Sequence, residues 1–396
     1  MSIPKYFGKK NKAVRLAATN LALLASLVAV NSAALAQEEP IQVGVILPFS
    51  GGAGPQGEHV SWAIEAMASL INEEGGVLGR QLELLKRDDE STPAVGVSRA
   101  NELLSEGADV ILEGWNSPVT LAMQPVISRA EVLDLTLISK ADPILSGEGN
   151  PLAIRLNSSN AQDGEVIAEF IADNGYERVA FLTENDAYGL GAQESIEAAL
   201  EASGHTYEIV GIERFPFEQA DFRIQLSNLR NTNPDVTVAI NANEGLGMPA
   251  LIRQAGRSRL PGQLVAAVGT IAPSVIEIAG ESANGLIGAD IYFPNVEPFA
   301  SNPENLDFVA RTEELHDYTP DKFMALGAMG LQVWAKAAEE VGSLDREAIA
   351  ERIRGGSFED TILGDVSFEE NGQLTSRHYL FEVVDGKLVV TADSDG

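Results

Sequence analysis

Residues 48–59, PFSGGAGPQGEH, place Gly52, Gly54 and Gly57 in the spacing G-x-G-x-x-G, directly after the apolar run IQVGVIL and directly before a helical pattern. Between a strand and a helix, such a loop can cradle a pyrophosphate on backbone N–H groups, the chemistry of a nicotinamide oxidoreductase. Two features argue against that chemistry. The acid that would hold a ribose is expected about 20 residues further on, but Asp88 lies 31 residues after Gly57. Pro55, inside the motif, removes an N–H where the phosphate needs one. The glycines are better read as a tight turn at the carboxyl end of a strand, where open α/β sheets bind ligands.

The other reactive residue types form no catalytic constellation. The four histidines, His59, His205, His316 and His378, show no H-E-x-x-H spacing, and no G-x-S-x-G elbow occurs. Each histidine stands in a polar or loop-like stretch and is read as a surface residue. Asp88 and Asp89, followed by ESTP, suit a chain turn and a helix cap better than acid–base work. The chain has no cysteine, hence neither a disulfide framework nor a thiolate metal site. No cofactor is expected, and a secreted hydrolase without a recognisable motif is retained only as an alternative.

The elements that position these residues alternate regularly. IQVGVIL, QLELLKRDD, DVILEG and LDLTLIS read as strands, and the segments between them repeat apolar residues at helical spacing, as in Val60, Ile64, Met67 and Ile71. Thr92 with Pro93, and Ser117 with Pro118, mark helix starts. The order βαβαβαβ forces right-handed crossovers and a parallel sheet covered on both faces. A second series follows from Leu156, with strands RVAFLT, YEIVGIERF, VTVAIN, QLVAAV and GLIGADIY. The last hundred residues carry a helix from Pro320 to Val341, another from Arg346 to Arg354, and a hairpin, HYLFEVVD with KLVV, turned at Asp385 and Gly386. These readings give two doubly wound α/β lobes, with the chain returning to the first.

The first residues read as a secretory leader: Lys5, Lys9, Lys10, Lys12 and Arg15, then LALLASLVAV, then NSAALA with Ala34 and Ala36 at the small positions of a cleavage site. Cleavage after Ala36 is expected, and the ten-residue apolar core is too short to span a bilayer. Setting the five leader cations aside leaves 22 basic against 58 acidic residues, a net charge of −36. Such a surface repels nucleic acid and anionic lipid. The acids are scattered, as on a solvated surface suited to salty surroundings.

The stretch from Val43 to Ser91, VGVILPFSGGAGPQGEHVSWAIEAMASLINEEGGVLGRQLELLKRDDES, resembles the opening of the leucine/isoleucine/valine-binding family of periplasmic solute-binding proteins, which serve ABC importers. Pro48, Ser50, Gly51, Gly57, Ile71, Asn72, Gly75, Gly76, Gly79 and Asp88 match that pattern in order. ISKADPIL, ENDAYGLGAQESIEAAL, ALIRQAG and EIAGESANGLIG extend the resemblance over essentially the whole mature chain. It implies a type I periplasmic binding fold: two Rossmann-like lobes with parallel central sheets, a three-crossing hinge, and closure on a small ligand. The implied division is a signal peptide over 1–36, lobe 1 over 37–155 and 286–360, and lobe 2 over 156–285 and 361–396.

The resemblance also implies a site. Ser117, flanked by Trp115 and Asn116, stands where the family binds a carboxylate at a helix start; it also reads as a plain N-cap. Tyr188 matches a cleft tyrosine, and Gln56 stands where relatives place an aromatic wall. Two positions depart from the amino-acid binders. Ala141-Asp142 replaces their Ala-Thr, and Gly269-Thr270-Ile271 stands where they carry the glutamate for the ligand's ammonium. Asp142 or Glu244 could supply that carboxylate, because a buried ammonium needs one. Lys140 could meet an acidic ligand, or pair with Asp142 at the surface. The implied function is a monomeric, non-enzymatic periplasmic receptor that traps a small polar solute (amino acid, amide or related carboxylate) and presents it to membrane permease subunits. A ligand-sensing partner of a membrane receptor is the alternative.

Overall fold

The computed structural model describes residues 39–146 and 151–393. The expected leader and its cleavage point lie outside the described residues, among which no helix is long and apolar enough to cross a membrane.

The first sheet is parallel and runs β2-β1-β3-β4-β5, from β1 (Ile41–Leu47), β2 (Leu82–Asp88), β3 (Val110–Glu113), β4 (Leu133–Thr136) and β5 (Ala153–Arg155). Helices α1 (Gly54–Glu73), α2 (Pro93–Glu106) and α3 (Ser117–Arg129) make its crossovers. The strands carry continuous apolar runs because both faces are covered; Val110, Ile111 and Leu112 are all fully buried.

The second sheet repeats this order and extends it: β7-β6-β8-β9-β10, then β14 and β15 antiparallel at the edge. Its strands are β6 (Arg178–Glu184), β7 (Glu208–Phe215), β8 (Val236–Ile240), β9 (Gln263–Ala266), β10 (Ile287–Asp290), β14 (Tyr379–Val384) and β15 (Lys387–Asp393). Helices α4 (Asn160–Asp173), α5 (Ala187–Ser203), α6 (Arg223–Thr232), α7 (Gly247–Ser258) and α8 (Pro273–Ala279) accompany it.

After β10 the chain returns to the first lobe as α9 (Pro303–His316), α10 (Lys322–Val341) and α11 (Arg346–Ile353), followed by a small sheet of β11 (Ser357–Thr361), β12 (Gly364–Phe368) and β13 (Leu374–Thr375). Helix α10 lies close against α1 and the first sheet because two of its residues are glycines. A Cβ on Gly327 would sit 2.6 Å from Val60, and one on Gly330 would sit 2.7 Å from Leu137. Arg311 adds a hydrogen bond to Ser69 and an ion pair with Glu73 on α1. The chain passes between the lobes after β5, after β10 and between β13 and β14, which makes the three-crossing hinge.

The expected boundaries at 285/286 and 360/361 do not follow the strand pairing. Ile287–Asp290 pair with β9 and β14 in the second sheet. Residues 361–375 stay with the first, since Gln373 bridges to Arg155 at the end of β5 and accepts its Nε hydrogen bond at 2.6 Å.

The glycine loop forms a short 3-10 turn over Gly51–Ala53 that runs directly into α1. Its tightness serves packing. A Cβ on Gly52 would meet Phe217 at 2.5 Å and Glu218 at 2.7 Å, both following β7 in the second lobe. At Gly57 a Cβ would overlap the carbonyl oxygen of Pro48. Asp88 ties the loop down, accepting from Phe49 N at 2.8 Å and Ser50 Oγ at 2.7 Å. Gly57→Ala is therefore expected to lower unfolding stability by about 1–3 kcal/mol, the range of overpacking without room to relax. A urea midpoint unchanged from wild type would show that the strand end gives way freely.

Candidate functional site

In both sheets the strand order reverses beside the first strand of its series, and the carboxyl ends at these switch points face one another, where open α/β sheets place ligands. Between them lies a cavity lined by residues of both lobes.

Five strand ends supply its walls. From the first lobe, β3 leads into Trp115, Asn116 and Ser117, and β4 into Ile138, Ser139 and Lys140; from the second, β6 leads into Glu184, Asp186 and Tyr188, β8 into Ala242 and Glu244, and β9 into Val268, Gly269 and Thr270. Phe323, from the first turn of α10, closes one side, its ring centroid 4.7 Å from that of Trp115. Seven of the ten residues anticipated above thus line one cavity: Trp115, Asn116, Ser117, Lys140, Tyr188, Glu244 and Thr270.

The other three stand beside it. Gln56 faces Gly245 across the gap between the lobes, and a Cβ there would lie 3.3 Å from its amide nitrogen. Ala141 contributes backbone only: its N–H donates to Ser117 Oγ at 3.2 Å and its carbonyl accepts from Arg155 at 2.8 Å. Asp142 accepts from Ala161 N and Ser195 Oγ, both at 3.3 Å, so it ties the β4 loop to the second lobe rather than reaching the cavity.

Several local roles differ from expectation. Ser117 is the first residue of α3 and Asn116 its N-cap, without a side-chain cap bond. The Ser117 hydroxyl instead accepts the Lys140 and Ala141 N–H groups, both at 3.2 Å, which leaves its proton to donate into the cleft. Lys140 is no surface residue and does not pair with Asp142. It is buried, and its Nζ donates to Asp163 at 2.5 Å, Val268 O at 3.0 Å and Ser158 Oγ at 3.2 Å. His378 is likewise buried, with Nε2 at 3.1 Å from the other oxygen of Asp163. Burial alone would raise the Asp163 pKa, but Lys140 and His378 outweigh it and hold the carboxyl below its ordinary range.

A second buried cation had no sequence signal. Lys322, at the start of α10, donates to Gly269 O at 2.9 Å, lies 3.7 Å from Asp290 and sits 3.9 Å above the Phe323 ring. Two glutamates lining the cavity behave differently from Asp163. Burial pushes Glu244 well above its ordinary pKa despite Lys322 nearby. It does the same to Glu184, with Asp186 adding to the effect. No group of His, Cys, Asp or Glu among the described residues could hold a metal ion.

A two-lobe α/β protein with a cavity built from facing strand ends is a solute-binding protein in architecture. Its family profile agrees: the one described as Periplasmic binding protein matches residues 40–387, and the chain belongs to that family. The chain is similar to the Leu/Ile/Val-binding protein BraC3 of Rhizobium johnstonii, 27% identical over 370 residues, covering 93% of this chain and 98% of the relative. It is similar to Leu/Ile/Val-binding protein homolog 3 of Brucella melitensis, 26% identical over 377 residues, covering 93% and 99%. Among solved structures, the leucine binding protein LivK of Thermotoga maritima superposes with a TM-score of 0.79 at 27% identity, over 89% of this chain and 98% of that one. A solute binding protein of an ABC transporter from R. palustris, solved in complex with benzoate, has the same fold: TM-score 0.79, 23% identity, 89% and 96% covered.

Proposed function

We propose that this protein is the periplasmic substrate-binding component of an ABC importer. It traps a small polar solute, an amino acid, amide or related carboxylate, between its lobes and hands it unchanged to membrane permease subunits. One observation carries the reading: the cavity walls come from both lobes, at facing carboxyl ends of two parallel sheets. A solute bound there contacts both lobes at once and stabilises the closed state by its differential affinity. Ser117, at the amino terminus of a 13-residue helix, offers its hydroxyl proton and a favourable field to an acceptor group on the solute. The leader expected from the sequence supports the compartment.

The test is a thermal-shift panel on the purified protein in high salt, followed by titration of any hit. A true ligand at about 100 times its dissociation constant adds about 2.7 kcal/mol of stability. Ser117→Ala is expected to weaken that ligand by up to about tenfold, the worth of one hydrogen bond, and to keep a cooperative melt. Turnover of the solute, or equal affinity in the variant, would count against the reading.

A further inference from the structure

The polar groups facing the cavity are unbalanced. Glu244 Oε2, Glu184 Oε1 and Asn116 Oδ1 are buried against it and receive no N–H donor, Glu184 having only the Asp186 carboxyl beside it. All three are acceptors. The two lysines nearby make no hydrogen bond to them: Lys140 directs its three N–H bonds at Asp163, Ser158 and Val268, and Lys322 donates to Gly269 O with Asp290 3.7 Å away. The backbone N–H of Ala242 is also committed, donating to the other oxygen of Glu184 at 2.8 Å. Buried acceptors left unpartnered are expensive, and a charged one more so.

We infer that the solute is a net cation, unlike a zwitterionic amino acid such as leucine, whose nitrogen group bears several N–H bonds, a guanidinium, amidinium or ammonium, seated between Glu244 and Glu184 and against the Trp115 and Phe323 rings. The inference rests on the receptor reading and specifies its ligand. The fit is chemical as well as geometric. A multiply donating cation answers three acceptors at once, and a planar or compact cation is attracted to aromatic faces. The carboxylate for a ligand nitrogen is then Glu244, at the end of β8, while Asp142 remains engaged with Ala161 and Ser195.

Burial raises both glutamates above the ordinary carboxyl range, opposed by Lys322 and Lys140 at Glu244, while Asp321 and Asp290 there and Asp186 and Glu218 at Glu184 add to it. A bound cation pulls both back down, so any proton they hold is released on binding and affinity rises with pH.

The experiment is calorimetric titration of the purified protein with agmatine, L-arginine and putrescine on one side, and L-leucine and benzoate on the other. At least one cationic probe is expected to bind at least tenfold more tightly than either leucine or benzoate. Its apparent heat should change between buffers of different ionisation enthalpy, by the released protons. Glu244→Gln and Glu184→Gln should each weaken it by about 10- to 100-fold, the worth of a hydrogen bond to a charged group. The wild-type ranking stands on its own if a variant fails to fold. Preferential binding of leucine or benzoate, unweakened by Glu244→Gln, overturns the inference and leaves the receptor reading intact. Binding by no member of this panel overturns the inference, while the broader thermal-shift panel decides the receptor reading.

Discussion

Lys140→Met is expected to lower unfolding stability by about 3–5 kcal/mol, the loss typical of one partner removed from a buried ion pair. Lys140 belongs to the loop after β4 in the first lobe, whereas Asp163 on α4 and Val268 after β9 belong to the second. The side chain therefore acts as a strut between lobes, and its loop is itself fixed by Arg155, which donates to the carbonyls of Lys140 at 3.0 Å and Ala141 at 2.8 Å. Without the ammonium, Asp163 keeps only His378 as a side-chain partner among those described, in a place where water cannot replace the lost charge. The double variant Lys140→Met, Asp163→Asn separates this cause from simple loss of packing. Removing both charges leaves no unpaired ion, so the double variant should recover a large part of the loss. Urea unfolding of the wild type and all three variants gives the coupling directly. A single-variant loss below about 1 kcal/mol, or additive losses in the cycle, would show that Lys140 is not a strut.

The same residue shows where sequence reasoning stops. Asp142 stands two positions from Lys140 and offered a local partner, but the true partner is 23 residues away. It reaches Lys140 only because the chain crosses to the second lobe after β5 and starts α4 under the capping box of Ser159 and Gln162. Lys322 and Phe323 enter the site through the return of the chain into α10, so no motif near the cleft loops signals them. By contrast, the strand ends were legible. Strands buried on both faces read as apolar runs, and whatever follows such a run in a parallel sheet lies at its carboxyl end. The pieces that went unread lack such a run. Strands β11 and β12 are SFEDT and GDVSF, five residues each with charges among the apolar positions, and α9 buries only Asn305, Phe308 and Thr312 along 14 residues. Their place in the first lobe is set by contacts with distant elements: Asn302, the N-cap of α9, donates to the carbonyls of Thr361 and Ile362.

Asp89→Asn is expected to make the protein progressively more stable than wild type as pH rises from about 4 to about 7. The carboxyl is fully buried where β2 ends. One oxygen accepts from Ser91 N at 2.8 Å and the other has no partner. Burial, with Asp88 and Glu90 adding to it, pushes its pKa up to about 7 against an ordinary 3.8. Below pH 4 the carboxyl is neutral in folded and unfolded chains alike, and its contribution is fully present. Between the two values the unfolded chain loses the proton while the folded chain must keep it, so stability falls as pH rises and levels off above about 7. Three units correspond to about 4 kcal/mol, and the asparagine, which retains the acceptor for Ser91 N and carries no charge, should recover up to that amount at pH 8. Glu113 is fully buried, is raised by burial, and feels both Asp134 and Asp89, so neutralising Asp89 also relieves its neighbour. Urea midpoints of wild type and variant from pH 4 to 8 should diverge over that window. Parallel curves would place the pH sensitivity of the first lobe elsewhere, with Glu113 the next group to neutralise.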